Sequence, residues 1–206
     1  MSEITGDWWL HFKISKVAKD EGYWAIKIGI EDHAGAADEY IITSLDIQFY
    51  AEIAISASDL PFNFTNINLG QSNNTLTNPS DKKIDIYAIA NANYDIEVKA
   101  SDSTGNNNYW VGQTYGDHAY IVTTKPNDGQ IRLKIDNNTD TTDGWNVTIS
   151  TAYGLWLNDR AGPTSDGSTS NDQGANHPAY LLLDIGPTGL LPDTYKGKIW
   201  FRVSNA

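Results

Sequence analysis

The sequence predicts an all-β chain built as a two-sheet sandwich of the jelly-roll or immunoglobulin-like kind, with about ten or more strands. Three observations lead there. Apolar residues recur at every second position along most of the chain, the period of a strand with one buried face. Helical spacing is almost absent. Each alternating run ends in Asn, Asp, Gly, Ser or Pro, the residues that turn a chain between strands.

The first run is the clearest. In Asp7 to Val17, Trp8, Leu10, Phe12 and Ile14 alternate with Trp9, His11, Lys13 and Ser15. A terminal ribbon of this kind needs a cover for its apolar face, supplied by its own sheet or by a neighbouring subunit. We read residues 1–17 as an extended N-terminal strand, open to either cover, and residues 18–206 as one sandwich domain; the donor-type role for 1–17 comes only from the resemblance described below. Trp24, Ile26, Ile28 and Ile30 form the next face. A long alternation follows, with Leu45, Ile47, Phe49, Ala51, Ile53 and Ile55 opposing Asp46, Gln48, Tyr50 and Glu52. Ile84, Ile86 and Ala88 precede Tyr94, Ile96 and Val98, and Asn91–Asn93 between them reads as a hairpin turn.

After the polar stretch 101–108, strands are expected at Tyr120–Thr123, Ile131–Ile135 and Trp145–Ile149. Tyr180–Ile185 is more continuously apolar than the other runs, as a central strand would be. The last run places Tyr195, Ile199, Phe201 and Val203 on one face. Gly162–Pro178 carries no strand signal and reads as a long surface loop.

Composition narrows the function. The 206 residues carry a net charge of −12, so no basic field exists to collect nucleic-acid phosphates or an anionic membrane. There is no cysteine, which removes disulfides, thiol chemistry and Cys-based zinc sites. No apolar run is long enough to span a bilayer as a helix. Met1 to Asp20 lacks a basic start followed by an apolar stretch, so no secretion signal is read there. The chain is then a processed secreted form, or one made for an intracellular or viral setting. Its linkers, rich in Asn, Thr, Ser, Asp and Gly, suit an extracellular surface.

Candidate sites are few. His11, His33, His118 and His177 are scattered without metal-ligand spacing, and no nucleophile elbow or phosphate-binding glycine loop occurs. The expectation is that the chain is not an enzyme and requires no cofactor. Calcium is a candidate at Asp136, Asn138, Asp140 and Asp143, oxygen ligands in one short loop. There, Thr141 stands where a helix-loop-helix calcium site has Gly, and Val147 where it has Glu. A solvated turn with Asx hydrogen bonds explains the same residues and is favoured. A second acid-rich loop holds Asp159, Asp166 and Asp172. Asn63, Asn73, Asn137 and Asn146 each begin an N-glycosylation pattern, at about the frequency this composition gives by chance. Tyr109, Trp110, Tyr115, Tyr120, Tyr153 and Trp156 fall in or beside expected loops. Trp110 and Trp156 are the candidates for stacking on a sugar, against a packing role that is the commoner one.

Two stretches carry a family resemblance. Ala51 to Asp102, through Leu60-Pro61-Phe62-Asn63-Phe64, Leu69-Gly70 and Tyr94-Asp95-Ile96, resembles the β-sandwich subunits of secreted prokaryotic fibres, the TasA and camelysin group and the archaeal bundling pili and threads. Gly144-Trp145-Asn146-Val147-Thr148 and Pro192-Asp193-Thr194-Tyr195-Lys196-Gly197-Lys198-Ile199 are similar to the WxL-type surface domains, although Val147 replaces the expected Leu. In the fibre proteins, the resemblance implies, a terminal strand completes the sandwich of the next subunit. The physics is β-augmentation. Burying Trp8, Leu10, Phe12 and Ile14 at about 1.5–3 kcal/mol each offers roughly 6–12 kcal/mol, against association costs of about 4–15 kcal/mol. Side chains alone break even, and backbone pairing tips the balance. The reading is an extracellular structural subunit whose partner is itself, polymerising head-to-tail by donor-strand complementation. The alternatives are a monomeric carbohydrate-binding or adhesive module and a viral capsid or decoration protein. The C-terminal run Tyr195–Val203 is a second candidate donor.

Overall fold

The computed structural model describes residue 11 and residues 24–31, 33–139, 146–162 and 174–206. Within these the chain is almost entirely β, with fourteen strands, a single 3-10 turn at Ala57–Asp59 and no α-helix. The all-β, sandwich-like class read from the sequence is therefore what the chain adopts. The expected donor residues Trp8, Leu10, Phe12 and Ile14 lie outside the described residues.

Strands β1 (Trp24–Glu31) and β2 (Ala37–Leu45) form an antiparallel hairpin that is a sheet of its own. The body begins at β3 (Ala51–Ile55). One run of alternating residues was expected across 45–55, but the chain leaves strand geometry at 46–50. Buried Asn91 holds this crossing: its Oδ1 accepts from Tyr50 N at 2.7 Å and its Nδ2 donates to Gln48 O at 2.9 Å. The alternation runs through the crossing because Ile47 and Phe49 are also half-buried.

The remaining strands are β4 (Asn74–Thr75), β5 (Ile84–Ala90), β6 (Tyr94–Ser101), β7 (Tyr109–Gly112), β8 (His118–Ile121), β9 (Gln130–Asp136), β10 (Val147–Ile149), β11 (Gly154–Arg160), β12 (Ala175–Ile185), β13 (Tyr195–Lys196) and β14 (Lys198–Asn205). Nine strands make a large sheet in the order β13-β7-β8-β9-β12-β5-β3, with β10 on β9 and β4 on β12. Strand β12 is central, as its apolar run predicts, but it starts at Ala175, inside the expected loop. A three-stranded sheet, β11-β6-β14, completes the body.

The expected 91–93 hairpin is instead an arch. Strand β5 pairs with β3 and β12, whereas β6 pairs with β11 and β14, so the three residues carry the chain from one sheet to the other. The cause is burial. Ile84, Ile86 and Ala88 on one side and Tyr94, Ile96 and Val98 on the other are all essentially without solvent exposure. Two such apolar faces lose more water stacked across a core than lying side by side. Leu133, Ile135, Ile149, Leu181 and Leu183 extend this core, and Ile199, Phe201 and Val203 pack onto it. The chain changes sheets a second time at Gly197, between β13 on β7 and β14 on β6. A Cβ there would collide with the Trp110 indole.

Candidate functional site

The sequence-predicted residues separate into three groups. Trp110 and Trp156, candidates for sugar stacking, are each only 7% exposed and belong to the core. They sit on β7 and β11, two strands that were read as loop, with the inward side of each pleat holding the indole. Trp156 meets Phe201 edge-on at 5.9 Å. Neither ring offers a face to a ligand, so their role is packing.

The calcium candidates are divided. Asp136 is buried at the end of β9 and its Oδ1 accepts from Asn138 N at 3.2 Å, a local Asx contact. Asp140 and Asp143 lie outside the described residues. Among the described residues no group of three or more His, Cys, Asp or Glu side chains gathers as a metal site would require. Of the glycosylation candidates, Asn63, Asn73 and Asn137 are exposed and Asn146 is half-buried.

Two surfaces stand out instead. The first is the β1–β2 hairpin. Directly opposed residues share a face, and the register sets Trp24 against Leu45, Ile26 against Ile42, Ile28 against Tyr40 and Ile30 against Asp38. One face is thus apolar over three successive pairs, and it is in water: Ile30 is 66% exposed and Tyr40 69%, with Trp24, Ile28 and Ile42 also exposed. The opposite face carries Lys27 and Glu39, paired at 2.6 Å. A lone two-stranded ribbon is marginal in water, so this amphipathic one needs something on its apolar side.

The second surface is aromatic, on the outer side of β7 and β8. The Tyr109 ring stacks on His118 with centroids 3.9 Å apart and planes 11° from parallel. Tyr120 stands edge-on to both, at 5.7 and 5.9 Å, with much of its ring in solvent. Tyr115 is exposed on the connecting loop. Asp193 secures that loop: its Oδ2 accepts from Thr114 N at 2.8 Å and Tyr115 N at 3.1 Å, and its Oδ1 accepts from Thr194 N at 2.6 Å. Partial desolvation opposes ionisation, but these backbone donors outweigh it and bring the Asp193 carboxyl down to about 2. The Tyr195 hydroxyl donates to Asp117 in the same corner, and burial first, then Asp117, pushes that phenol up.

Sequence reasoning named Tyr109, Tyr115 and Tyr120 as residues in or beside loops, with Tyr120 opening an expected strand, but it did not bring Tyr109 and Tyr120 together. The pleat, which turns Trp110 inward and Tyr109 outward, was the missing signal. Among the described residues no helix is long and apolar enough to cross a membrane. No protein-family model matches the chain, and no curated protein matches it.

Proposed function

We propose that this chain is the structural subunit of an extracellular filament or pilus, joined head-to-tail by donor-strand complementation through its N-terminal segment. The observation that carries the reading is the β1–β2 hairpin, a separate sheet whose apolar face is solvent-exposed at Ile28, Ile30, Tyr40 and Ile42. In sequence it comes after the apolar ribbon Trp8 to Ile14, with residues 15–23 between the two. With aromatic side chains of about 150–250 Å2 each, this face leaves on the order of 400–500 Å2 in water, matching the largest apolar patch on an ordinary monomer. Seating that face on a different surface of equal size on a second copy removes roughly 1,000 Å2, the lower limit for a specific interface. A second copy of the chain is therefore the occupant that fits. The net charge of −12 disfavours an anionic lipid surface in that role. A head-to-tail contact does not close on itself, so its product is a fibre.

The test is negative-stain microscopy and light scattering of three proteins: the full chain, the chain lacking residues 1–17, and an Ile28→Lys/Tyr40→Lys double variant. Fibres from the full chain alone are expected. Fibres of normal length from the truncated chain would overturn the donor-strand reading, and a monodisperse full chain would overturn assembly altogether.

A second reading, a monomeric carbohydrate-binding module, is favoured by the Tyr109–His118–Tyr120 cluster with Tyr115 beside it. Exposed rings held at fixed angles suit the apolar face of a sugar. Glycan-array binding by a monomer that disappears in Tyr120→Ala would establish it over the first.

A further inference from the structure

Apart from both surfaces described above, the body holds a small cavity of about 160 Å3, lined by Asn137, Leu157, Arg160, His177 and Pro178. That is well above the ~10–15 Å3 a single water needs, so it admits several waters or one small organic group. What sets it apart is Arg160. The chain has three arginines. Arg132 pairs with Asp184 at 2.5 Å and Arg202 with Glu97 at 2.6 Å, but Arg160 has no ion-pair partner among the described residues. Its Nε is buried and donates to nothing. In a chain with twelve more acids than bases, a cation left unpaired in a cavity is a conspicuous omission.

The backbone is shaped to place it there. Leu157 lies opposite Ile96, and two steps further along β6 Tyr94 is met by Arg160, not by Asp159. This is the second of two register shifts in β11: one extra residue sits between Leu157 and Arg160, and such a bulge flips the side chains beyond it to the other face relative to Leu157. Regular pairing would aim the Asp159 carboxylate inward; the bulge aims the guanidinium instead. Asp159 takes the left-handed conformation this requires, with φ 48°, an unfavourable state for a residue with a Cβ. Two contacts hold it: its N–H donates to Asp95 Oδ1 at 2.8 Å and its Oδ1 accepts from Asn93 Nδ2 at 2.9 Å.

The far wall is equally set. Buried Tyr94 and half-buried His177 share a 2.7 Å hydrogen bond between Oη and Nε2, which fixes the imidazole against the cavity. Burial first, and the Arg160 charge second, hold His177 below its ordinary range, so at neutral pH the ring is uncharged. The cavity thus presents one positive charge in a planar fork, with an Asn137 amide and a neutral imidazole beside it.

We propose that this cavity binds a small carboxylate, with the Arg160 guanidinium as its counter-ion. A carboxylate matches the fork in geometry and in charge. A dianionic phosphate would bring a second negative charge into a site with no second cation. The carboxylate can come from a free organic acid or from the uronic-acid residue of a glycan, since both present the same group.

The test is NMR titration of the full chain, reading the His177 Cε1 proton, with acetate, glucuronate, glucose and inorganic phosphate as probes. Saturable shifts with acetate and glucuronate, and none with glucose, are expected. Arg160→Gln is expected to weaken glucuronate at least tenfold, with Arg202→Gln, a surface control, unchanged. Circular dichroism monitors the fold of each. Should Arg160→Gln fail to fold, Asn137→Ala on the exposed rim takes its place, with a several-fold loss expected. Glucuronate tighter than acetate points to the glycan source, and equal affinities to the free acid; either supports the carboxylate site. No saturable shift, unchanged affinity in the variant that folds, or phosphate binding more tightly than either acid would overturn the proposal.

Discussion

Asp184 is the charge on which the large sheet depends most. Its side chain has no solvent exposure, yet it is ionised against three donors from two neighbouring segments. Asn73 N donates to Oδ1 at 2.7 Å, Arg132 donates to Oδ2 through Nε at 2.8 Å and Nη2 at 2.5 Å, and Lys134 Nζ lies 3.2 Å from Oδ1. Replacing it with Asn leaves Arg132 and Lys134 facing each other without a counter-charge. Breaking a buried pair in this way costs about 3–5 kcal/mol. Both cations keep some contact with water, with side chains 25% and 12% exposed, so the lower end applies, about 3 kcal/mol. For a chain of this size each kcal/mol moves Tm by about 2–4 °C, so a fall of roughly 6–12 °C is expected. The pH dependence has a definite sign. Burial tends to raise the Asp184 carboxyl, but the Asn73 N–H, Arg132 and Lys134 together hold it below its ordinary value. A group lowered on folding contributes fully above its unfolded pKa, about 3.9, and loses that contribution as pH falls through the folded value. The gap between wild type and Asp184→Asn, measured by urea denaturation, should therefore be full at pH 7 and begin to shrink below about pH 4. A gap under about 1 kcal/mol at pH 7, or one that persists undiminished at pH 2, would refute this account of a buried charge network.

The two crossings between modules give further expectations. Gly197→Ala puts a methyl group into the Trp110 indole where the chain changes sheets, and overpacking of this kind costs about 1–3 kcal/mol. A lower urea midpoint with a red-shifted tryptophan emission is the expected result. Asn91→Ala removes the side chain that bonds Tyr50 N and Gln48 O. Faster amide exchange at residues 46–50, with exchange in β9 and β12 unchanged, is expected, at a stability cost of about 1–3 kcal/mol.

What could be read from the sequence depended on how regular each strand is. Strands β5, β6 and β9 keep a two-residue burial period over most of their length, so their buried faces were visible in the residues themselves. Strand β11 has two register shifts, one between Leu155 and Leu157 and one between Leu157 and Arg160. These bury Trp156 and Leu157 side by side, and a pattern with adjacent inward residues no longer reads as a strand. Strand β7 has four residues and follows an Asn-rich turn, too short a run to show its period. Losing both strands is what turned Trp110 and Trp156 into apparent loop aromatics. The arch at 91–93 was hidden for a different reason. A hairpin and an arch have the same local alternation, and only the partners of β5 and β6, far away in sequence, distinguish them. Arg160 escaped notice because two inserted residues, one on each side of Leu157, set it opposite Tyr94, and nothing local in the sequence marks either of them.

The hairpin and the body raise opposite physical questions. In the body, the large and small sheets shield each other's apolar side chains, so its fold accounts for its own sequence. In the hairpin, Trp24, Ile26, Ile28, Tyr40 and Ile42 are spaced as carefully as any core strand, yet most of that face meets water. Selecting such a face for the monomer alone would gain nothing, since burial is what makes apolar alternation favourable. A scattered exposed isoleucine needs no explanation, but five large apolar groups in register on one face do. The other face is the more polar of the two, with Lys27 paired to Glu39, although exposed Ile41 stands opposite Lys27 on it. Under the fibre reading proposed above, the apolar side would be covered only after folding, by a second copy of the chain.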